Sequence, residues 1–320
     1  MNQNLAFISH YGLPSVGKLT SWVAAIVILA SVSVASAQQA FKSPEDAAGT
    51  LVSAAKDVWP KGVVAVLGQE SAEIVSSGDK VADEAIRQKF IAAYDAKHQV
   101  TMDGDSKAIM VIGQEDFPFP IPLVRKDGMW RFDTVAGRQE ILARRIGRNE
   151  LDAIQSCLAY VDAQNEYADR DRTGAGTGIY AQHIVSHPGK KDGLYWPASQ
   201  DNDTSPLGEL VAHAADEGYH IGGGPAPFHG YYFKILTEQG PAAPDGELDY
   251  VVHGKMIGGF ALVAYPAEYR NSGVMTFIVN YTGAIFQKDL GPRTAHLAER
   301  MTLYNPDQTW TKVDSPTPPN

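Results

Sequence analysis

The chain has 320 residues and a mass of 34.6 kDa, of which 44% are hydrophobic and 20% charged, and its formal net charge is −10 at pH 7. This size and apolar content allow one large or two average domains with packed cores, and the acidic balance argues against general binding to nucleic acid. The single cysteine excludes an internal disulfide framework and any multi-cysteine zinc or iron–sulfur site.

Residues 1–37 are predicted to be a secretory signal peptide. Lys18 is the only charged residue before position 42, and an apolar run over residues 22–34 follows it. Ala35-Ser36-Ala37 then supplies the small residues typical of a cleavage site. The run is shorter than the ~20 residues of a membrane-spanning helix, and a retained anchor is the alternative. We therefore expect an exported protein, periplasmic or else extracellular, with no stable membrane span after cleavage.

A shift in charge predicts two domains. Residues 38–148 carry 15 basic and 16 acidic residues, whereas residues 149–320 carry 11 and 21. Composition changes of this kind often accompany a domain boundary. We predict an N-terminal domain over residues 38–140, a C-terminal domain over residues 141–313, and a disordered tail over residues 314–320.

The N-terminal half is predicted to be helical first and a curved antiparallel sheet afterwards. Ser43-Pro44 has the N-cap and first-turn residues of a helix start. Asp127-Gly128 lies between two apolar runs and is typical of a hairpin turn. We expect helices over residues 44–58, 63–67 and 83–98, and strands over residues 107–112, 120–124 and 129–133. This order indicates the α+β class.

The C-terminal half is predicted to be a long helix packed on an antiparallel sheet. Apolar residues recur at helical spacing over residues 137–168. Four β-rich runs and a short closing helix over residues 292–301 come later. The runs are predicted to form an antiparallel meander of strands over residues 231–236, 258–265, 274–279 and 284–287.

Long motifs in both halves resemble a bacterial family called domain of unknown function 2950. They include Phe117-Pro-Phe-Pro-Ile-Pro-Leu-Val124, Ala143-Arg-Arg-Ile-Gly-Arg-Asn-Glu150, Tyr160-Val-Asp-Ala-Gln-Asn-Glu-Tyr167 and His229-Gly-Tyr-Tyr-Phe233. The resemblance covers residues 41–313. It implies an exported bacterial protein and carries no activity or catalytic residue to transfer.

Two fold-level resemblances accompany the family one. The first half looks like a cone-shaped domain of the nuclear-transport-factor-2 type, and the second half resembles the head of a type IV pilin or pseudopilin. A pilin would have its apolar assembly helix directly before residue 149, where this chain has a folded half instead. Polymerisation into a pilus is therefore not expected, and a shared fold does not assign a function.

No metal site or cofactor is predicted. His183 and His187 would share a helix face, but Pro188 disfavours helix there and no His-Glu-x-x-His occurs. The glycine-rich stretches 174–178 and 222–224 lack the Gly-Lys-Ser/Thr of a phosphate-binding loop.

The sequence also lacks a complete set of catalytic residues. We therefore expect a protein that is not an enzyme. Cys157 lies in an apolar helical stretch and is expected to be buried. Asp162 and Glu166 are four residues apart and either form a pair with raised pKa or belong to a solvated acidic face. The remaining enzyme hypothesis is a small-molecule pocket in the cone-like half, lined by His98, Asp116 and Asp133.

Binding residues are predicted in two places. A Pro-rich loop leads into an aromatic strand at His229, Tyr231 and Tyr232, and Trp196 belongs to the same aromatic-rich half; an exposed cluster of such rings would bind a glycan or an envelope protein. Arg144 and Arg145, with Arg148 close by, form a basic cluster at the predicted domain junction. They either pair with acidic residues of the C-terminal half or bind an anionic envelope component. The prediction is thus a non-catalytic binding or accessory module of the bacterial envelope.

Overall fold

The structure is a computed structural model that describes residues 38–198, 203–220 and 226–314. These residues belong to one compact unit, Ser36–Asn320. The signal peptide predicted over residues 1–37, and the predicted tail beyond Asp314, lie outside the described residues. The fold is of the α+β class, as predicted.

Local capping chemistry accounts for where the helices begin. The Ser43 hydroxyl accepts a hydrogen bond from the Asp46 backbone N–H at 3.0 Å, and the Asp79 carboxylate accepts from Val81 and Ala82. The described residues contain seven α-helices: α1 (Pro44–Asp57), α2 (Lys61–Leu67), α3 (Ala72–Val75), α4 (Lys80–Ala96), α5 (Thr134–Ala168), α6 (Gly208–Asp216) and α7 (Thr294–Glu299).

An antiparallel sheet follows the first four helices. Its strands are β1 (His98–Asp103), β2 (Lys107–Ile112), β3 (Phe117–Pro118), β4 (Leu123–Lys126) and β5 (Met129–Phe132). The order is β1-β2-β4-β5, with β3 also paired to β2. The Asp127-Gly128 turn has φ of 53° and 76°, the positive values that a tight hairpin needs. The helix expected to reach His98 ends at Ala96, because Lys97 is extended and His98 pairs with Ile112.

The C-terminal half is built around the predicted meander. A five-stranded antiparallel sheet has the order β17-β15-β14-β13-β8, and short strands make three smaller sheets. The strands of this half are β6 (His183–Val185), β7 (Gly193–Tyr195), β8 (Tyr231–Leu236), β9 (Glu238–Gln239), β10 (Leu248–Asp249), β11 (Val251–Val252), β12 (Lys255–Met256), β13 (Ala261–Pro266), β14 (Thr276–Asn280), β15 (Ile285–Lys288), β16 (Leu303–Tyr304) and β17 (Thr311–Lys312).

Both faces of the central strands are covered. Every residue of β13 and β14 is buried, and α5 packs against these two strands while α7 packs against β13. Strands covered on both faces are apolar along their length rather than alternating, which is why residues 258–265 read as a continuous apolar run.

The 35-residue helix α5 connects two hydrophobic cores. Ile141 and Leu142 pack against the N-terminal core, which contains Leu51 and Phe132, whereas Cys157 belongs to the C-terminal core. The domain boundary predicted at residue 140 falls inside this continuous helix, and the division into two domains stays a prediction. Within the described residues, no helix combines the length and the hydropathy that crossing a membrane requires.

Candidate functional site

A cleft of about 760 Å³ opens in the N-terminal half. Helices α4 and α5, the segment around β3 and the residues of the first core all contribute to its wall. Its volume lies within the range of small-molecule sites, roughly 300–1,000 Å³. Most of the lining is apolar: Leu51, Ala55, Trp59, Val63, Leu67, Ile74, Val75, Ile86, Phe90, Ala93, Ile112, Phe117, Phe119, Pro120, Ile121 and Ile141.

The charged residues of the cleft are almost all cationic. Glu115 is the one acidic residue among the described residues that line it. This excess of positive charge contrasts with the net charge of −10 of the whole chain. Confined positive charge beside an apolar wall raises the local concentration of anions. The five cationic lining residues are Arg87, Lys89, Arg144, Arg145 and Arg148.

Two of these cations have no partner within the described part of the chain. Arg87 donates to the Ala55 carbonyl at 2.8 Å and to Glu84, and Arg144 pairs with Glu140 on its own helix. The side chains of Lys89 and Arg148 have neither a hydrogen bond nor an ion pair with any residue of ranges 38–198, 203–220 and 226–314. Their charges are therefore available to an anionic ligand.

Arg145 lines the cleft but is buried, unlike Lys89 and Arg148. Only 6% of the residue is exposed, and its guanidinium donates to the carbonyls of Glu73 and Ile74 and to the Asn271 side-chain oxygen. Burial lowers the pKa of Arg145, and the nearby charge of Arg148 adds to this effect. The expected pairing of this cluster with C-terminal acids is corrected: Arg145 uses carbonyl and amide oxygens, and Arg144 uses Glu140.

The rings of the predicted aromatic face are mostly internal. Tyr231 is fully buried and donates to the Met275 carbonyl at 2.9 Å, and Trp196 is 4% exposed and donates to the Asp203 carbonyl at 3.1 Å. Tyr232 is half-buried beside another tyrosine of the sheet. The expectation of an exposed aromatic cluster is corrected for Tyr231 and Trp196, because packing of the C-terminal core encloses both rings.

His229 is placed between two carboxylates. Its Nδ1 lies 3.6 Å from Asp152 and its Nε2 lies 3.2 Å from Glu217. The neighbouring Gly230 backbone donates to Asp79 at 2.9 Å, so the loop is tied to the start of α4. The histidine is half-buried and its ring contacts Phe228. The Gly230–Asp79 bond connects the two halves of the chain, whereas the contacts of the His229 ring lie within the C-terminal half, and His229 does not line the cleft.

The structure has a pocket in the N-terminal half, where the enzyme hypothesis expects one, but with different residues. His98 is exposed and stacked on Tyr94, with ring centroids 3.8 Å apart. Asp116 pairs with Lys97 at 2.7 Å, and Asp133 caps α5 by accepting from a backbone N–H. None of the predicted three, His98, Asp116 and Asp133, lines the cleft.

Two further candidates lack the environment that catalysis requires. Asp162 and Glu166 are both exposed, which fits the solvated acidic face. Cys157 is fully buried, as predicted, and burial raises the pKa of its thiol to about 12. A thiol in this state is not a nucleophile at neutral pH.

Of the two unpartnered cations, Arg148 is predicted as a neighbour of the Arg144-Arg145 cluster, whereas Lys89 is not predicted. Lys89 lies on an amphipathic helix directly before Phe90, and Arg148 lies four residues after Arg144. Charges beside an apolar stripe are usually solvent-facing, so the sequence contains no signal that separates these from other surface cations. Only the approach of α4 to α5 brings them to one cleft.

Comparison with known proteins gives a family and nothing further. A family model described as a protein of unknown function, DUF2950, matches residues 38–313. No curated protein and no solved structure matches the chain. The cone-type and pilin-head resemblances therefore stay predictions.

Proposed function

We propose that this chain, which belongs to the DUF2950 family of proteins of unknown function, is an exported bacterial protein that binds a small molecule. The ligand has an apolar body and an anionic group, as a fatty acid has. The observation that carries this proposal is the apolar cleft with five cationic lining residues. Export is supported by the signal-peptide pattern over residues 1–37 and by a family match that begins at residue 38.

The apolar lining residues and the cationic lining residues of the cleft contribute separately to the binding free energy. Apolar surface contributes about 25 cal/mol per Å² removed from water, so burying roughly 200 Å² of ligand contributes about 5 kcal/mol before the cost of immobilisation. A charge-assisted hydrogen bond from Lys89 or Arg148 adds about 1.5–3 kcal/mol. The second contribution decreases with salt because both cations are near the surface.

Binding without chemical change is favoured by the residue types in the cleft. No histidine, cysteine, serine or tyrosine lines it among the described residues, and Glu115 is its one carboxylate. Acid–base catalysis needs two titratable groups that converge on the reacting atoms. The enzyme hypothesis would therefore require groups from elsewhere in the chain.

The test is a titration of the exported chain, beginning at Gln38, with hexadecanoate and with hexadecanol of the same chain length, using displacement of a fluorescent fatty acid. We expect saturable one-to-one binding in which the carboxylate binds about 10-fold more tightly than the alcohol. Lys89→Ala and Arg148→Ala should each remove much of this preference. Lys126→Ala and Arg125→Ala are the controls, because both side chains are exposed and outside the cleft.

A pair of neighbouring alanines on α4 tests the location of the ligand. Ala93 lines the cleft, whereas Ala92 is exposed on the solvent side. Ala93→Trp should fill the cleft and abolish binding of both compounds, and Ala92→Trp should leave binding unchanged. Equal effects of the two tryptophans, or equal affinities for acid and alcohol in every variant, would contradict the proposal.

A further inference from the structure

The segment between β6 and β7, two strands that pair in parallel, contains a tight turn. Pro188 and Gly189 are the central residues of a turn that closes with a hydrogen bond from the Lys190 N–H to the His187 carbonyl at 2.9 Å. Gly189 has φ of 74°, the conformation that this turn type requires at its third position. After this segment β7 runs parallel to β6, and Gly193 pairs with His183.

Three side chains that can ligate a metal ion lie together beside this turn. The rings of His183 and His187 have centroids 4.7 Å apart, and His187 Nδ1 lies 2.9 Å from the Asp192 carboxylate. One ligand atom from each of the three residues lies within 4.8 Å of the other two. Four residues along an extended strand would span about 13 Å, so the chain does not stay extended from His183 to His187.

We propose that His183, His187 and Asp192 bind one divalent transition-metal ion of the zinc and copper class. Two imidazoles and one carboxylate are the donor set that these ions prefer, and a fourth position stays open to water. Zinc ligand distances of about 2.0–2.1 Å place tetrahedral donors roughly 3.4 Å apart. Both histidines are exposed, so small side-chain rotations suffice to close the site.

The backbone around the site is already in place. The other oxygen of Asp192 accepts a hydrogen bond from the His187 backbone N–H at 2.9 Å, which orients the carboxylate. Ser186 and Gly193 exchange side-chain and backbone hydrogen bonds across the turn. A side chain at Gly193 would approach the Val185 and Ser186 backbone to 2.7 Å, so the close pairing of β6 and β7 depends on this glycine. Such pre-organisation reduces the conformational entropy lost on binding.

This site is separate from the cleft of the proposed function, and none of its residues lines that cleft. The proposal also revises the prediction that the chain has no metal site. That prediction rests on the absence of a helix at Pro188, which is correct, but the rings of His183 and His187 are in contact without a helix.

The experiment is isothermal titration calorimetry of the exported chain with Zn²⁺ and with Cu²⁺, after removal of metal ions from the protein. We expect one ion per chain. His183→Ala, His187→Ala and Asp192→Asn should each weaken binding by about 10-fold or more. His213→Ala is the matched control, because it removes an exposed histidine outside the cluster. Mg²⁺ should not bind, since it prefers oxygen ligands.

A spectroscopic readout separates ligand loss from general damage. Electron paramagnetic resonance of the Cu²⁺-loaded chain should show coupling to two imidazole nitrogens, and to one in His183→Ala. Thermal unfolding of the metal-free variants should match that of the wild-type chain, because both histidines are exposed. The absence of saturable binding at millimolar ion, or unchanged affinity in all three cluster variants, would overturn the proposal. Fatty-acid binding is unaffected by either result.

Discussion

Replacing Arg145 by alanine should destabilise the whole chain. The guanidinium is a buried connection between three parts of the fold: it lies on α5, donates to the carbonyls of Glu73 and Ile74 in α3, and donates to Asn271 of the C-terminal half. Asn271 in turn donates to the Ser76 carbonyl at 2.9 Å. Truncation therefore removes one side chain but leaves several buried acceptors without a donor.

The expected loss in the free energy of unfolding follows from those unpartnered acceptors. A buried polar group that loses its partner costs about 1–3 kcal/mol, and breaking a buried charged connection costs about 3–5 kcal/mol. We expect a loss of about 4 kcal/mol in the free energy of unfolding. Arg144, the adjacent residue, is 57% exposed at its side chain; it pairs with Glu140 and its guanidinium lies 5.5 Å from the centroid of the Phe117 ring. Arg144→Ala should therefore cost less than about 1 kcal/mol.

Urea unfolding followed by tryptophan fluorescence, run on both variants and the wild-type chain, measures this difference. Arg145→Ala should shift the midpoint strongly to lower urea, and Arg144→Ala should not. A double-mutant cycle with Asn271→Ala should give a coupling of about 0.5–3 kcal/mol. Free energies of unfolding of the two arginine variants that agree within about 1 kcal/mol would refute the reasoning, as would a coupling of zero.

The remaining predictions concern α5. An added Cβ at Gly137 would lie 2.7 Å from both Ile121 and the Pro120 carbonyl, whereas Gly147 has open space, so Gly137→Ala should destabilise the chain and Gly147→Ala should stabilise it by about 0.5–1 kcal/mol. Thermal unfolding compares them, and the opposite order would contradict the packing. Cys157 should resist a thiol reagent at pH 8 in the native chain and react fully in urea, because burial raises its thiol pKa to about 12; rapid native labelling would be the contrary result.

Features that depend on neighbouring residues could be predicted from the sequence. The start of α1 follows from the Ser43 cap and the proline after it, and the β4–β5 hairpin follows from Asp127-Gly128. The meander and the burial of Cys157 follow from apolar periodicity. Caps, turns and periodicity act over a few residues, so the information is local and the sequence alone contains it.

The pocket-lining role predicted for Asp133 is wrong. Asp133 is assigned to a pocket by the enzyme hypothesis, but it is the N-cap of α5, because the helix begins at Thr134 rather than at Gly137. A carboxylate beside apolar residues has the same sequence signature in both roles. Only the start of the helix distinguishes them.

The candidate sites themselves were decided by tertiary structure. Lys89 and Arg148 meet at one cleft because α4 and α5 pack around a shared core, and His183 meets Asp192 because β7 returns beside β6. The same packing encloses Tyr231 and removes it from the surface. Residues far apart in the chain become neighbours only when the helices and strands that carry them pack together. Composition, spacing and local propensity do not specify that packing.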